Sequence, residues 1–366
     1  MNNKEITSIH YLRGIAALLV VAYHNKQYLN NIYSQNDLGD ILFRGGAFGV
    51  DLFFMISGFI IALSTSKAQS NKIDFSIKRF FRVYPLFIIC LTSLIFLNPI
   101  YSETEIIRSV FLAGTNYSEA APFFGYNILF PAWTLSYEIY FYIVFLVSMS
   151  ISHKHRILIS SAFLILPTLV LQKIFNGSVS LESNVKLDLD PALPLGPLNF
   201  IISPMLIEFV MGMIAFKASQ YFHLMKNKKY ISFILFSLFA CFYFYGYRYD
   251  FGPANFGIWA FTLLIGSLLL DNSIKGYGSQ SLRKLGDISY SLYLIHAIIM
   301  IVMIKYQASI PMYDTNGIAK FLLIVSTSLF VSLYVHKYIE MPILKIGRTI
   351  ISKRKSRDTN RELKTQ

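Results

Sequence analysis

The sequence predicts an all-α fold, a polytopic integral membrane bundle of about ten transmembrane helices with both termini cytoplasmic. Three observations carry that expectation. Of 366 residues, 54% are hydrophobic and only 14% are charged, against about 25% charged in a soluble globular chain. The mean hydropathy is +0.50, and the deficit of charge runs over the whole length, as many spans require and a single anchor does not. The Lys and Arg residues give a net charge of +13, yet they fall in alternate connecting segments rather than on one face.

A helix that crosses a bilayer needs roughly 20 apolar residues. The first such run, near 9–29, holds YLRGIAALLVVAYHNK and carries Arg13 and His24. Arg13 interrupts it and no small-residue cleavage site follows, so it reads as a retained span and not a signal peptide. The second, near 43–64, contains GGAFGVDLFFMISG, whose Gly45, Gly46 and Gly49 leave room for close approach of a neighbouring helix or ligand. The third is expected near 83–102, the fourth near 131–151, the fifth near 156–173 and the sixth near 198–218. The last four fall near 230–247, 255–271, 287–305 and 319–341. Cys90 and Cys241 lie in apolar runs with no spacing for a disulfide or metal, and read as core fillers. No metal site is expected.

Orientation follows from the cations. Lys67, Lys72, Lys78, Arg79 and Arg82 follow span two, Lys154 and Arg156 follow span four, Lys226, Lys228 and Lys229 follow span six, and Lys275, Arg283 and Lys284 follow span eight. The other connections are acidic, with Asp37, Asp40, Glu103, Glu105, Glu119, Glu182, Asp188 and Asp190. That alternation is the positive-inside pattern, and it uses up the basic excess, so no nucleic-acid partner is expected. Residues 1–343 form the transmembrane domain. Residues 344–366 are expected to be a disordered basic tail near anionic lipid. Two outer segments are long, near 103–130 and 174–197. The aromatics of the first (Tyr117, Phe123, Phe124, Tyr126 and Phe130) read more readily as an interfacial belt than as a sugar platform.

An ionisable residue inside a span is costly, which makes each one a candidate for function. Arg13 and His24 are eleven residues apart. At ~100° per residue they return to one helix face, about 16 Å apart along the axis, with Arg13 low and His24 high. Asp51 and Glu138 of PAWTLSYEIYFY are placed about 10 Å below the outer surface by the ~1.5 Å rise per residue, and so near the level of His24. An imidazole with two carboxylates at one level supplies a general base and its orienting partners. Lower down, FSIKRFFRVYP sets Arg79 and Arg82 three apart on one helix face. With Lys78 and Arg13 they form a cationic bowl, and arginine geometry suits phosphate. LGDISYSLYLIHA aligns Ser289, Tyr293 and His296, while YIEMP closes the last span with Glu340 and the helix-stopping Pro342. Structural roles compete with each of these: Arg79 and Arg82 as positive-inside anchors, Asp51, Glu138 and His296 as interhelical hydrogen-bonders, Glu340 as a surface carboxylate.

Taken in order, LRGIAALLVVAYH, GVDLFFMISGFII, FSIKRFFRVYP, PAWTLSYEIYFY, LGDISYSLYLIH and YIEMP make the chain resemble the acyltransferase-3 family over about residues 7–343. Its members are bacterial integral membrane O-acyltransferases that modify surface carbohydrates. Tyr137 departs from the family pattern, standing where many relatives carry a small or acidic residue. The resemblance implies an acyl-CoA co-substrate, acetyl-CoA being the expected form, used from the cytoplasm, with no permanently bound cofactor. It implies a glycan or lipid-linked oligosaccharide as acceptor and the bacterial cytoplasmic (inner) membrane as location. It implies His24 as the catalytic residue with Arg13 its companion, and Arg79 and Arg82 in donor binding, to which Lys78, Tyr293 and His296 are joined here. The chain leaves no residues for the soluble esterase-like domain of longer members, and no Gly-x-Ser-x-Gly elbow is present. A homodimer is left open. A polytopic transporter or flippase for a lipid-linked sugar is the rival class, distinguished by movement of substrate without use of acyl-CoA; a non-catalytic scaffold is a third.

Overall fold

The computed structural model describes residues 6–66, 71–114, 116–117, 119–189, 195–274, 279–310 and 315–364; Lys67, Asp190 and Lys275 lie outside them. Among the described residues the chain is all-α, without a strand, a polytopic membrane bundle. We label the principal helices α1 (Thr7–Asn25), α2 (Gly49–Ser64), α3 (Lys72–Leu97), α4 (Trp133–Ile151), α5 (Arg156–Asn176), α6 (Met205–Ser219), α7 (Lys228–Tyr245), α8 (Phe256–Ile274), α9 (Ser289–Lys305), α10 (Ile318–Val335) and α11 (Met341–Lys364). Each of the ten expected spans coincides with one of α1 to α10. By length and apolarity alone, seven helices among the described residues can cross a membrane, or eight when Gln280–Asp287 and Ser289–Lys305, bent by 68°, count as one. The helix α1 falls outside that count because Arg13 and His24 sit in a run of only 19 residues.

Two segments differ from the sequence expectation. The helix expected at 83–102 starts at Lys72, where the Asn71 side chain accepts from the Ile73 N–H at 2.8 Å. FSIKRFFRVYP is therefore helical throughout, its long cations reaching out along an amphipathic first half. The second is 344–366, expected as a disordered tail but helical as α11 to Lys364. One turn of π-helix, His336–Glu340, precedes it and widens the hydrogen-bond ladder just before Pro342, which consequently does not stop the helix. Long-range contacts hold α11 in place. Arg354 donates to Asp74 at 2.7 Å, and a Cβ on Gly347 would lie 2.8 Å from the Phe81 ring.

The bundle is built around α1, which touches α2, α8, α9, α10 and the short helix Gln280–Asp287. At one end, His10 meets the carbonyl of Arg283 at 2.9 Å, Tyr290 donates to the Val83 carbonyl at 2.7 Å, and Arg156 donates to Thr65 at 2.9 Å. The Lys- and Arg-rich connections gather there, and we call it the basic end. At the opposite end Tyr243 donates to the Leu42 carbonyl at 2.7 Å and Gly252 N–H to Asp51 at 2.9 Å.

Backbone approaches set the packing. A Cβ on Gly46 would stand 2.5 Å from the Leu19 carbonyl oxygen of α1, so the glycines at the head of α2 admit a neighbouring helix. The most extensive helix contact is α2 with α6, where a Cβ on Gly212 would fall 1.9 Å from the Met55 carbonyl oxygen. Small residues permit such contact between membrane helices, whose lipid surroundings give no hydrophobic drive to associate. Gly212→Leu is expected to cost at least about 3 kcal/mol, the upper part of the overpacking range, because backbone cannot give way. The check is the thermal midpoint of the detergent-purified protein by size-exclusion after heating; a midpoint within 2 °C of wild type, given that ~1 kcal/mol moves Tm by a few degrees, contradicts it.

Candidate active site

Helix α1 brings Arg13 and His24 to the centre of the bundle, and α9 runs beside it with a matching stripe. At the low end Arg13 Nη2 donates to Ser289 Oγ at 3.1 Å. One helical turn up, the Tyr293 hydroxyl lies 2.8 Å from Thr134 Oγ1 and 3.0 Å from the Pro131 carbonyl oxygen. At the high end the His296 ring stacks on His24, with centroids 5.4 Å apart and planes at 29°. The two stripes agree because both helices ascend from the basic end.

Two cavities open along this seam. The lower, about 850 Å³ including its mouth, is lined by Arg13, Arg79, Arg82, Glu138, Tyr142 and Ser289 among others. The upper, about 900 Å³ including its mouth, holds His24 with Phe130 and Trp133. Val50 and Tyr293 line both, so the cationic cavity and the imidazole cavity adjoin along the seam.

The arginines are placed differently from one another. Arg82 Nη1 is 2.5 Å from Glu340 Oε1, and its guanidinium lies over the Tyr290 ring at 5.1 Å. Glu340 is buried and also accepts from Ser291 at 2.7 Å, while His336 Nδ1 is 2.8 Å away. Glu340 is therefore no surface carboxylate; it is the hub of a buried network under the donor end. Arg79 donates to Ser64 Oγ at 3.3 Å, and its guanidinium lies over Phe75 at 5.6 Å and Tyr142 at 5.5 Å. Its Nε is buried with no hydrogen-bond partner among the described residues. Lys78 is exposed and is not among the residues lining the lower cavity, so the structure does not bring it into the bowl.

The carboxylates expected to orient His24 do not reach it. Glu138 accepts from Ser57 at 3.0 Å and from the Tyr142 hydroxyl, and faces the lower cavity with the arginines. The level of His24 is that of Phe130, whose ring centroid is 5.0 Å away. Glu138 stands eight residues further along, so the depth counted from the helix start set it too high. Asp51 is fully buried, bonded to Gly252 N–H and facing Glu208 of α6. Its neighbour Val50 faces the two cavities, and adjacent helix positions do not share a face. The His24 ring instead packs on Tyr23 at 5.2 Å, Phe130 and His296. His296 is fully buried, with Nδ1 3.2 Å from the Leu292 carbonyl oxygen; the structure places it at the imidazole end, away from the cationic donor end to which it was joined. Tyr293 stands between the two. Tyr137, the departure from the family pattern, is a buried packing residue that donates to the Pro122 carbonyl at 2.9 Å. Ser57, Thr134 and Tyr142 line the lower cavity without having been singled out. Their signal was their position within motifs already read, one or two turns from Asp51 and Glu138.

The family model of an acyltransferase domain matches residues 6–337. The exopolysaccharide production protein ExoZ of Rhizobium meliloti is 25% identical over 321 residues, 84% of this chain and 92% of that protein. The O-acetyltransferase OatA of Staphylococcus aureus is 27% identical over 366 residues, 92% of this chain but 57% of that protein, so the chain spans little more than half of it. The acyltransferase MdmB of Streptomyces mycarofaciens is 29% identical over 155 residues, 38% of each chain. No solved structure matches the chain. With the ordered motifs lining two adjoining cavities and the family model covering nearly all of the sequence, the chain belongs to the acyltransferase-3 family and is a multi-pass membrane acyltransferase.

Proposed function

We propose that this enzyme moves an acyl group, acetyl in the simplest case, from acyl-CoA to a sugar hydroxyl of a cell-surface polysaccharide or lipid-linked glycan. It works in the bacterial cytoplasmic membrane, with the basic end and both termini facing the cytoplasm by the positive-inside pattern. The observation that carries the proposal is a pair of adjoining cavities, three arginines in one and an imidazole in the other, with Val50 and Tyr293 common to both walls; in this reading they make one passage. The names of two relatives, an exopolysaccharide production protein and an O-acetyltransferase, support the acceptor class and the reaction.

In this reading the phosphates of acyl-CoA dock against Arg79 and Arg82, whose guanidinium groups offer several donors in a plane. The pantetheine arm follows the Arg13–Ser289–Tyr293 seam, and the thioester reaches His24. His24 takes the proton of the sugar hydroxyl as its oxygen attacks the carbonyl carbon. The carbon–sulfur bond breaks, the ester forms, and the proton returns from His24 to the leaving thiolate. An acyl-histidine formed first at His24 is the two-step version of the same transfer. Tyr23, Phe130 and His296 fix the ring plane. Glu138 lies among the arginines of the lower cavity, with Ser57 and Tyr142 holding its carboxylate.

The test is transfer of label from [14C]acetyl-CoA to a membrane glycan fraction by the detergent-purified protein, with mass spectrometry of surface glycans from cells with and without the gene. An added acyl mass that depends on the gene is the expected result. Movement of a lipid-linked sugar without consumption of acyl-CoA would overturn it.

A further inference from the structure

Three of the five aromatics singled out in the 103–130 segment stand on a cavity wall. Phe123, Tyr126 and Phe130 line the upper cavity, while Phe124 packs on Tyr117 and Phe200. Phe123 and Tyr126 stack at 4.7 Å, and Phe123 stands edge-on to Trp133 at 4.9 Å and 81°. Phe251, from the loop before α8, closes the cluster at 5.6 Å from Trp133. Stacked and edge-to-face packing of this kind fixes each ring by its neighbours. Phe123, Tyr126 and Trp133 come from one stretch that runs into the start of α4, and Phe251 is brought to them from the 247–255 connection by the fold. Tyr126 is half exposed at the rim, whereas Trp133 is 7% exposed and lies deeper. The cavity, about 360 Å³, falls within the ~300–1,000 Å³ usual for small-molecule sites.

We propose that this aromatic cluster is the acceptor subsite, a clamp for one pyranose ring that lays its C–H face on one ring of the perpendicular Phe123–Trp133 pair and its edge against the other, with a hydroxyl presented to His24. The inference rests on the acceptor entering from the His24 end, as proposed above. A pyranose has one or two faces of C–H bonds whose hydrogens carry partial positive charge, and aromatic faces are negative. Its hydroxyl rim needs polar partners at the edges, and His24, Tyr23 and Tyr126 stand on the cavity wall. A long acyl chain is the other occupant that a largely apolar cavity admits, but a chain packs best on aliphatic walls. Here aromatic side chains outnumber the aliphatic ones, Val20, Ala47, Val50, Pro131 and Met300. The donor phosphates are also expected at the other end of the passage, among the arginines.

The chain has two tryptophans. Trp133 lines the cavity, and Trp259 lies fully buried beside Tyr249 and Phe256, with its indole N–H donating to the Tyr247 carbonyl at 3.0 Å. Tryptophan fluorescence of the detergent-purified protein therefore reports on the proposed subsite. Titration with chitotetraose is expected to give a saturable change in emission that is absent in Trp133→Phe and that saturates at five-fold or higher concentration in Tyr126→Ala. Sorbitol, which has hydroxyls but no ring face, is expected to give none. Equal response to sorbitol and chitotetraose, response to palmitoyl-CoA alone, or no response to any probe by a protein that still elutes as a single folded peak would each overturn the assignment. Binding read at Trp133 needs no transfer, so failure of the clamp and failure of the transfer reaction are seen in separate experiments.

Discussion

His24→Ala is expected to lower acyl transfer to glycan at least 100-fold and to leave the bundle folded. General acid–base groups contribute typically 10²–10⁴-fold, and His24 is the imidazole on the wall of the upper cavity, while His296 is sealed behind it. The expected structural cost is small, because the His24 side chain already borders open space and its ring contacts, Tyr23, Phe130 and His296, retain their other neighbours. His24→Gln is the stricter variant, since it keeps polarity and size but offers no base near neutral pH. The measurement is initial rate of label transfer from [14C]acetyl-CoA, with elution profile and thermal midpoint as the control for folding. Transfer within tenfold of wild type in both variants would remove His24 from the chemistry. Loss of the rate together with loss of the folded peak would instead assign it to packing.

The fold was legible because membrane spans announce themselves by length and apolarity, and every one of the ten runs became a helix. The site was legible in its sequence-local parts. Arg13 and His24 share a face by helix geometry alone, as do Ser289, Tyr293 and His296, and the structure lays those two stripes side by side. What failed were inferences about which helix faces which. The level of Asp51 and Glu138 was read from distance to a helix start, but whether a carboxylate points into the passage depends on rotation about the helix axis, which is set by neighbours such as Glu208 and Tyr142. The partnership of Arg82 with Glu340 joins positions 258 apart, and no periodicity reports such a contact. Likewise α11 is held by Asp74 and Phe81, on a helix far earlier in the chain. The outer aromatics are ambiguous for a related reason: one sequence stretch rich in Phe and Tyr fits a bilayer interface or a cavity wall, and the arrival of Phe251 against Phe123 and Trp133 is invisible in that stretch.

Arg79→Ala is expected to raise the KM for acyl-CoA tenfold or more with a small change in kcat and in stability, whereas Arg82→Ala is expected to destabilise the protein itself. The two arginines were read as an equivalent pair, but their partners differ. Arg82 neutralises Glu340, which is 2% exposed; removing one member of a buried pair leaves the other charge uncompensated, at a cost of about 3–5 kcal/mol. Arg79 has only a long bond to Ser64 and two aromatic faces beneath it, and its buried Nε has no acceptor among the described residues. An unmet buried donor is unfavourable, so a phosphate oxygen that satisfies it contributes affinity directly, and tenfold corresponds to about 1.4 kcal/mol, within the range of one charge-assisted hydrogen bond. The double variant Arg82→Ala/Glu340→Gln separates the roles further. With the uncompensated carboxylate gone, the thermal midpoint is expected to recover most of the loss seen in Arg82→Ala alone, while donor affinity stays weak. If Arg79→Ala lowers the midpoint as much as Arg82→Ala does, or if the double variant recovers nothing, the division of labour between the two arginines is wrong, and the pair acts as a single structural anchor at the basic end.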